Sequence, residues 1–394
     1  MNSVKIVDLR SRFANCNDKL IEISDSFIYC AEEKVHDGHP GISVVEYSRT
    51  TNRERVLSEW PLPAAACMQH YFSFADDIIA VMESGGSSVR VIRIDKHTGA
   101  KRNNTALHLI GRFLDCVALD DSHLLFYTGP NNEYGRLFRE YSKLTGFRHV
   151  ACLYDIEEEK YYYTRDPRIC TATAYRFIPY TRAGVPWLLI LQPYGSAEDK
   201  QKAYRNRHWL GDNVADCIWE CPLLGFLVSI KAGEERAPLE PVLCVNTTGL
   251  VRLVSEDAEN FYFLARYFPT GDQRICACSK DTGKKAVVAK LAASPEDMPS
   301  WFSIDRYGGH AYRISKTDDG FHIKGLLNST IDAVYPEGLG KFISCVDDRF
   351  LIIQYILADE KDSFEFNSIY DVETKKQKSY ECRCIVRGEN VILY

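Results

Sequence analysis

The chain has 394 residues, a formal net charge of −6, 45% hydrophobic and 12% aromatic residues. That apolar fraction excludes a disordered chain, and the small, dispersed acidic excess excludes the basic footprint of a nucleic-acid binder. Apolar runs of about five or six residues fall far short of the roughly 20 that a membrane helix needs, so no membrane span is expected. Tyr (23) and Phe (19) are abundant and Met (4) is scarce, which suits strands better than helices.

The first residues carry Lys5, Asp8, Arg10 and Arg12, which leaves no apolar core for a signal peptide. The expected setting is therefore cytoplasmic and reducing. The 14 cysteines are expected as reduced core thiols, because residues such as Cys30, Cys116 and Cys345 sit in apolar runs. Val4–Val7 reads as a strand. Leu20–Cys30 follows as a strand, an acidic turn and a dense apolar run. A loop over 36–41 and a strand ending at Tyr47–Thr51 come next.

The same plan returns along the chain. Tyr71–Val81, Phe113–Tyr127, Leu250–Leu264 and Lys341–Tyr355 each give a strand, an acidic turn and a dense strand. After a variable loop, a further strand ends in a Thr-Gly turn at Ile94–Gly99, Tyr141–Gly146 and Ser279–Gly283, and more loosely at Tyr370–Thr374. Another strand follows, as at Lys284–Leu291. Each unit thus reads as a four-stranded antiparallel meander with Asp and Gly at its turns. The dense strand recurs near Phe27, Ile78, Leu124, Leu188, Phe261, Tyr312 and Phe350, a mean spacing of about 54 residues. Residues 160–231 fit the template least well. Either Val4–Val7 or Val391–Tyr394 is able to complete the final unit.

The dense strands are apolar without alternation, as in Leu351-Ile352-Ile353. A strand with one wet face should alternate. Continuous apolarity means that both faces are covered, as when sheets radiate around an axis. The expected architecture is an all-β, single-domain β-propeller of seven four-stranded blades, with eight as the other count. On its acidic turns and its Tyr-Asp-x-x-Thr strand end (Tyr370–Thr374), the chain resembles propellers of the TolB-like and quinoprotein-like, WD-repeat-like type. The Gly-His and Trp-Asp marks of WD repeats are absent, so the resemblance concerns architecture and transfers no functional residue.

In such a blade the first and third turns share one face of the disc, here uniform and short. The middle loops and inter-blade links share the other face. Residues 36–41, 83–88, 128–135, 193–213, 232–248 and 358–362 are assigned to that variable face, where binding residues usually lie. Ser196–Asp199 followed by Lys200–Trp209 predicts a helical insertion over 193–213. Its Tyr204, Arg205, Arg207 and Trp209 are the partner-binding candidates, since Tyr, Arg and Trp dominate interface energies.

The acid pairs Asp76-Asp77, Asp120-Asp121 and Asp347-Asp348 recur at one turn and are expected to bond their own backbone there. Cys276 with Cys278, Cys382 with Cys384, and Cys217 with Cys221 are expected to be packed thiols and not metal ligands. His36, Asp37 and His39 are the one weak metal-binding group. No catalytic constellation and no cofactor motif stands out. The expected function is a non-enzymatic scaffold that presents a loop-rich face to a protein partner. The alternatives are a hydrolase or lyase acting at the central funnel, and a small-molecule or ion sensor.

Overall fold

The computed structural model describes residues 5–10, 19–36, 38–62, 68–129, 136, 139–140, 150–170, 177–192, 216–245, 249–267, 270–291, 301–304, 311–317, 320–327, 329–335, 341–346, 348–358, 363–387 and 390–394. Strand β1 (Lys5–Asp8) comes first. Sheet one is β2 (Lys19–Ile23), β3 (Phe27–His36), β4 (His39–Ser48) and β5 (Glu54–Pro61). Sheet two is β6 (Gln69–Ser73), β7 (Asp77–Gly85), β8 (Ser88–Asp95) and β9 (Lys101–His108). Sheet three is β10 (Arg112–Ala118), β11 (His123–Gly129), β12 (Val150–Asp155) and β13 (Lys160–Tyr163). A short helix, α1 (Pro167–Cys170), leads to sheet four, which is β14 (Phe177–Arg182), β15 (Val185–Gln192), β16 (Asp216–Pro222) and β17 (Glu240–Val245). Helix α2 (Leu223–Lys231) lies between β16 and β17.

Sheet five is β18 (Gly249–Glu256), β19 (Asn260–Tyr267), β20 (Gln273–Ser279) and β21 (Lys285–Leu291). Sheet six is β22 (Trp301–Ile304), β23 (Ala311–Thr317), β24 (Gly320–Leu327) and β25 (Asp332–Tyr335). Sheet seven is β26 (Lys341–Val346), β27 (Phe350–Ala358), β28 (Ser363–Asp371) and β29 (Lys376–Tyr380). A last, three-stranded sheet joins β30 (Cys384–Arg387) and β31 (Asn390–Leu393) to β1.

All seven dense runs of the sequence become second strands. Their continuous apolarity has the expected cause. In β7, Ile78, Ala80 and Met82 enter the core shared with sheet one, while Ile79 and Val81 enter the core shared with sheet three. In β11, Leu124 and Phe126 face sheet two, while Leu125 and Tyr127 face sheet four. Separate cores also join sheets four to five, five to six and six to seven. The ring is completed by Val391 and Leu393 packing on sheet seven and Ile392 on sheet one. First strands of neighbouring sheets approach one another near the axis, and fourth strands such as β21 and β29 form an exposed rim. These radiating, mutually covered meanders make the fold a β-propeller.

Closure uses both candidate strands together. β31 pairs antiparallel with β30, and β1 pairs parallel with β31. The parallel pair follows from direction. β1 leads into the first strand of sheet one, as fourth strands do, and in an alternating meander a fourth strand runs parallel to the second.

The third turn has one chemistry in five sheets. A side chain at the end of the third strand accepts backbone N–H groups: Thr51 to Ser48, Thr98 to Asp95, Glu158 to Asp155, Thr282 to Ser279 and Glu373 to Asp371. A left-handed residue follows, namely Asn52, Gly99, Glu159, Gly283 or Lys375. The paired acids of the first turn divide. Asp120 accepts from the N–H groups of Ser122 and His123, as expected. Asp77 instead turns inward and pairs with Arg93 at 2.8 Å, and Asp348 accepts from Ser329 and Thr330 of sheet six. Asp347 lies outside the described residues.

Four expectations need correction. The third strand of sheet three is Val150–Asp155, so the Thr-Gly segment 141–146, outside the described residues, does not supply it. Sheet four spans 177–245 and not 160–231. The stretch 223–239 joins its third and fourth strands, so it lies on the turn-bearing face and not on the loop-rich one. Cys217 is not a free thiol: it forms a disulfide with Cys244. Those two residues are direct cross-strand partners on β16 and β17 with Cα atoms 4.2 Å apart, close enough for the bond. Cys30, Cys116, Cys152, Cys221, Cys278 and Cys345 are buried thiols, and Cys276, Cys382 and Cys384 are half-buried ones.

Candidate functional site

The described feature least like the repeat is α2, with sequence LLGFLVSIK. Pro222 precedes it, and Gly233 follows its C-cap in the left-handed region, donating to Ile230 O, so both ends are punctuated. Leu223, Phe226, Leu227 and Ile230 fill the wedge between sheets three and four. Ser229 is buried and donates back to Phe226 O. On the opposite side Leu224 is 72% exposed and Val228 55%. One helical turn apart, they form a single apolar stripe.

Two polar assemblies anchor this helix. At its C-terminus Lys231 pairs with Asp155, and with Glu158 at 3.0 Å. His123 bridges Asp120 at 2.9 Å and Asp155 at 3.3 Å. Burial disfavours the charge of Asp155, but Lys231 and the Glu158 N–H outweigh it and hold this carboxyl below its usual range. Burial likewise opposes the His123 imidazolium, yet Asp120, with Asp155, overcomes both burial and the repulsion of Lys231 and raises its pKa. Beyond the helix, buried Asp166 accepts from Arg168 (Nε 3.0 Å, Nη2 2.6 Å) and from the Ala237 N–H at 2.9 Å. Arg168 in turn donates to Ala237 O at 2.7 Å and lies over Trp219.

The His123 assembly carries a pH signature. A raised folded-state pKa stabilises fully below the unfolded value and fades as pH rises through the folded one. His123→Gln is therefore expected to lose more stability at about pH 5.5 than at about pH 8.5, measured by urea unfolding at both. An equal loss at the two values would show that the imidazolium contributes nothing.

Near the axis, His70 on β6 stands 3.7 Å from Asp115 on β10 and edge-on to Phe113. Burial, with the charge of Lys19 added, pushes the His70 pKa down despite Asp115. Among the described residues no group of three or more His, Cys, Asp or Glu is arranged to hold a metal ion. His36 and His39 are register partners at the tip of the β3–β4 hairpin, with His39 exposed, and Asp37 lies outside the described residues. The predicted insertion 193–213, with Tyr204, Arg205, Arg207 and Trp209, also lies outside them. By connectivity it joins β15 to β16, so sheet four carries the α2 connection at one end and this one at the other. Sequence reasoning missed α2, although Pro222, the apolar run and Gly233 mark a helix start and stop.

No family model matches the chain, and no curated protein matches it. Solved structures do resemble it. A quinoprotein alcohol dehydrogenase-like protein from Bacteroides thetaiotaomicron is 9% identical with a TM-score of 0.42, covering 97% of this chain and 94% of that one. The β-propeller domain of the Trilobed protease from Pyrococcus furiosus is 10% identical with a TM-score of 0.41, covering 92% and 98%. A prolyl endopeptidase is 11% identical with a TM-score of 0.48, and the match covers 92% of this chain but 49% of that one. The shared property is the fold. Among the described residues no helix is long and apolar enough to cross a membrane.

Proposed function

We propose that this propeller is a binding module that docks a protein partner at sheet four, with the exposed face of α2 as a contact. One observation carries the reading. A helix that is apolar all round is normally buried on all sides. In α2 no residue before Lys231 is charged, and this chain's described residues cover one side of it. Full burial of Leu224 and Val228 under a partner is worth about 1.5–3 kcal/mol each. The Tyr204–Trp209 stretch, in the connection from β15 to β16 at the other end of sheet four, belongs to the proposal as a second contact.

The test compares proteins retained from native lysate by the wild-type chain, by Leu224→Ser/Val228→Ser and by Arg205→Ala/Arg207→Ala/Trp209→Ala. The first variant should stay within about 0.5 kcal/mol of wild-type stability, as exposed substitutions do. It should also lose a partner that wild type retains. Identical retention by wild type and the Leu224/Val228 variant would refute the helix as a contact. The His70–Asp115 pair favours a second reading, a hydrolase or lyase at the axis. Substrate turnover abolished by His70→Gln would support that reading.

A further inference from the structure

Radiating sheets diverge outward, so the gap between neighbours is widest at the rim, where large side chains usually fill it. Between sheets four and five small residues stand there instead. Cys276 and Cys278 of β20, whose side chains share the face toward sheet four, leave a cavity of about 110 Å³, while Ala277 and its register partner Ala286 turn their side chains toward sheet six. Val242 and Leu243 of β17 wall one side, and Phe263 of β19 also lines it. Lys285 is the one charged residue of the lining among the described residues, and it also donates to Pro241 O at 3.3 Å. Val287, also in the lining, and Val288 beside it are 50% and 47% exposed. Lys284 and Lys290 are exposed nearby on the chain.

We propose that this cavity is an anchor site for one apolar side chain of a partner peptide whose neighbouring residues are acidic. Size decides against a cofactor-sized ligand, because such sites run to about 300–1,000 Å³. The apolar walls select a leucine-like or aromatic side chain, and Lys284, Lys285 and Lys290 select carboxylates beside it. Strand addition to β21 is disfavoured. A bulge between Ile275 and Cys276 breaks its register, and lysines flank it, two devices that guard exposed edges. The site stands apart from the α2 contact and does not depend on it.

The test uses the full chain and a fluorescein-labelled peptide of about nine residues, with one central leucine among glutamates and serines. Fluorescence anisotropy should show weak, saturable binding that falls about tenfold or more when the leucine becomes alanine. Val287→Trp, at a half-exposed lining position opposite Cys276, should fill the cavity and abolish binding. Lys285→Glu should shift the preference toward a peptide with lysines in place of glutamates. Bound peptide should also shield Cys276 from maleimide while leaving Cys384 as reactive as before. Absence of saturable binding, equal binding of the alanine peptide, or indifference to Val287→Trp would each overturn the site.

Discussion

Gly99→Ala is expected to lower the unfolding free energy by about 3 kcal/mol, whereas Gly283→Ala should cost about 1 kcal/mol. The two glycines hold the same place in the Thr-Gly turn, at φ +74° and +67°. The left-handed conformation is not the main cost, since Asn52, Glu159 and Lys375 occupy it in other sheets. The neighbours differ. A Cβ on Gly99 would overlap the carbonyl oxygen of Leu57 and lie 3.2 Å from its carbon, and this is backbone of β5 that cannot turn aside. The nearest atoms to a Cβ on Gly283 would be those of the Arg182 guanidinium, at 3.4–3.5 Å, the far end of a side chain and in ordinary contact. Urea midpoints of the two variants provide the comparison, and equal losses would mean that the contact with β5 is not tight.

Asp166→Ala is expected to cost about 3–5 kcal/mol, the range for removing one partner of a buried ion pair. Asp166 is 1% exposed, and its carboxylate accepts from the Arg168 side chain, the Arg168 N–H and the Ala237 N–H. The alanine variant leaves the Ala237 N–H without this acceptor and strips the guanidinium of its carboxylate. Since Ala237 lies on the return from α2 to β17, amide exchange over 232–239 should quicken as well. Asp166→Asn retains one acceptor oxygen and should lose less. A loss below about 1 kcal/mol for the alanine variant would show that the pair is no better than a surface one.

The architecture was legible because one physical signal repeats. A strand covered on both faces cannot alternate, and the dense apolar runs from Phe27 to Phe350 each became a second strand, as did the polar-interrupted run at Tyr312 (AYRISKT). The turns were legible in type but not in detail. Asp77 and Asp120 belong to the same Asp-Asp motif, yet Asp77 reaches diagonally across the strands to pair with Arg93, while Asp120 caps its own turn. Sheet four was the least legible. Its third and fourth strands are separated by α2, so the period failed locally and 232–248 read as a loop. That reading placed 232–239 on the wrong face and hid Cys244, on the strand that follows, from its partner Cys217. Of the candidate sites, the α2 stripe required three-dimensional knowledge. Nothing in LLGFLVSIK says that Leu224 and Val228 point outward while Leu223 and Leu227 point inward.

The parallel pairing of β1 with β31 also governs how the ring responds to force. Lys5 stands beside Asn390 and Asp8 beside Leu393, so the two strands run in one direction. Tension applied through the residues that precede β1 and those that follow β31 pulls the pair in opposite senses along its own axis. Every bond of that ladder then bears load at once, in shear. In an antiparallel pair held at adjacent ends the bonds would instead break in succession, like a zip. The seam of the ring is thus oriented to resist pulling on the chain's two ends.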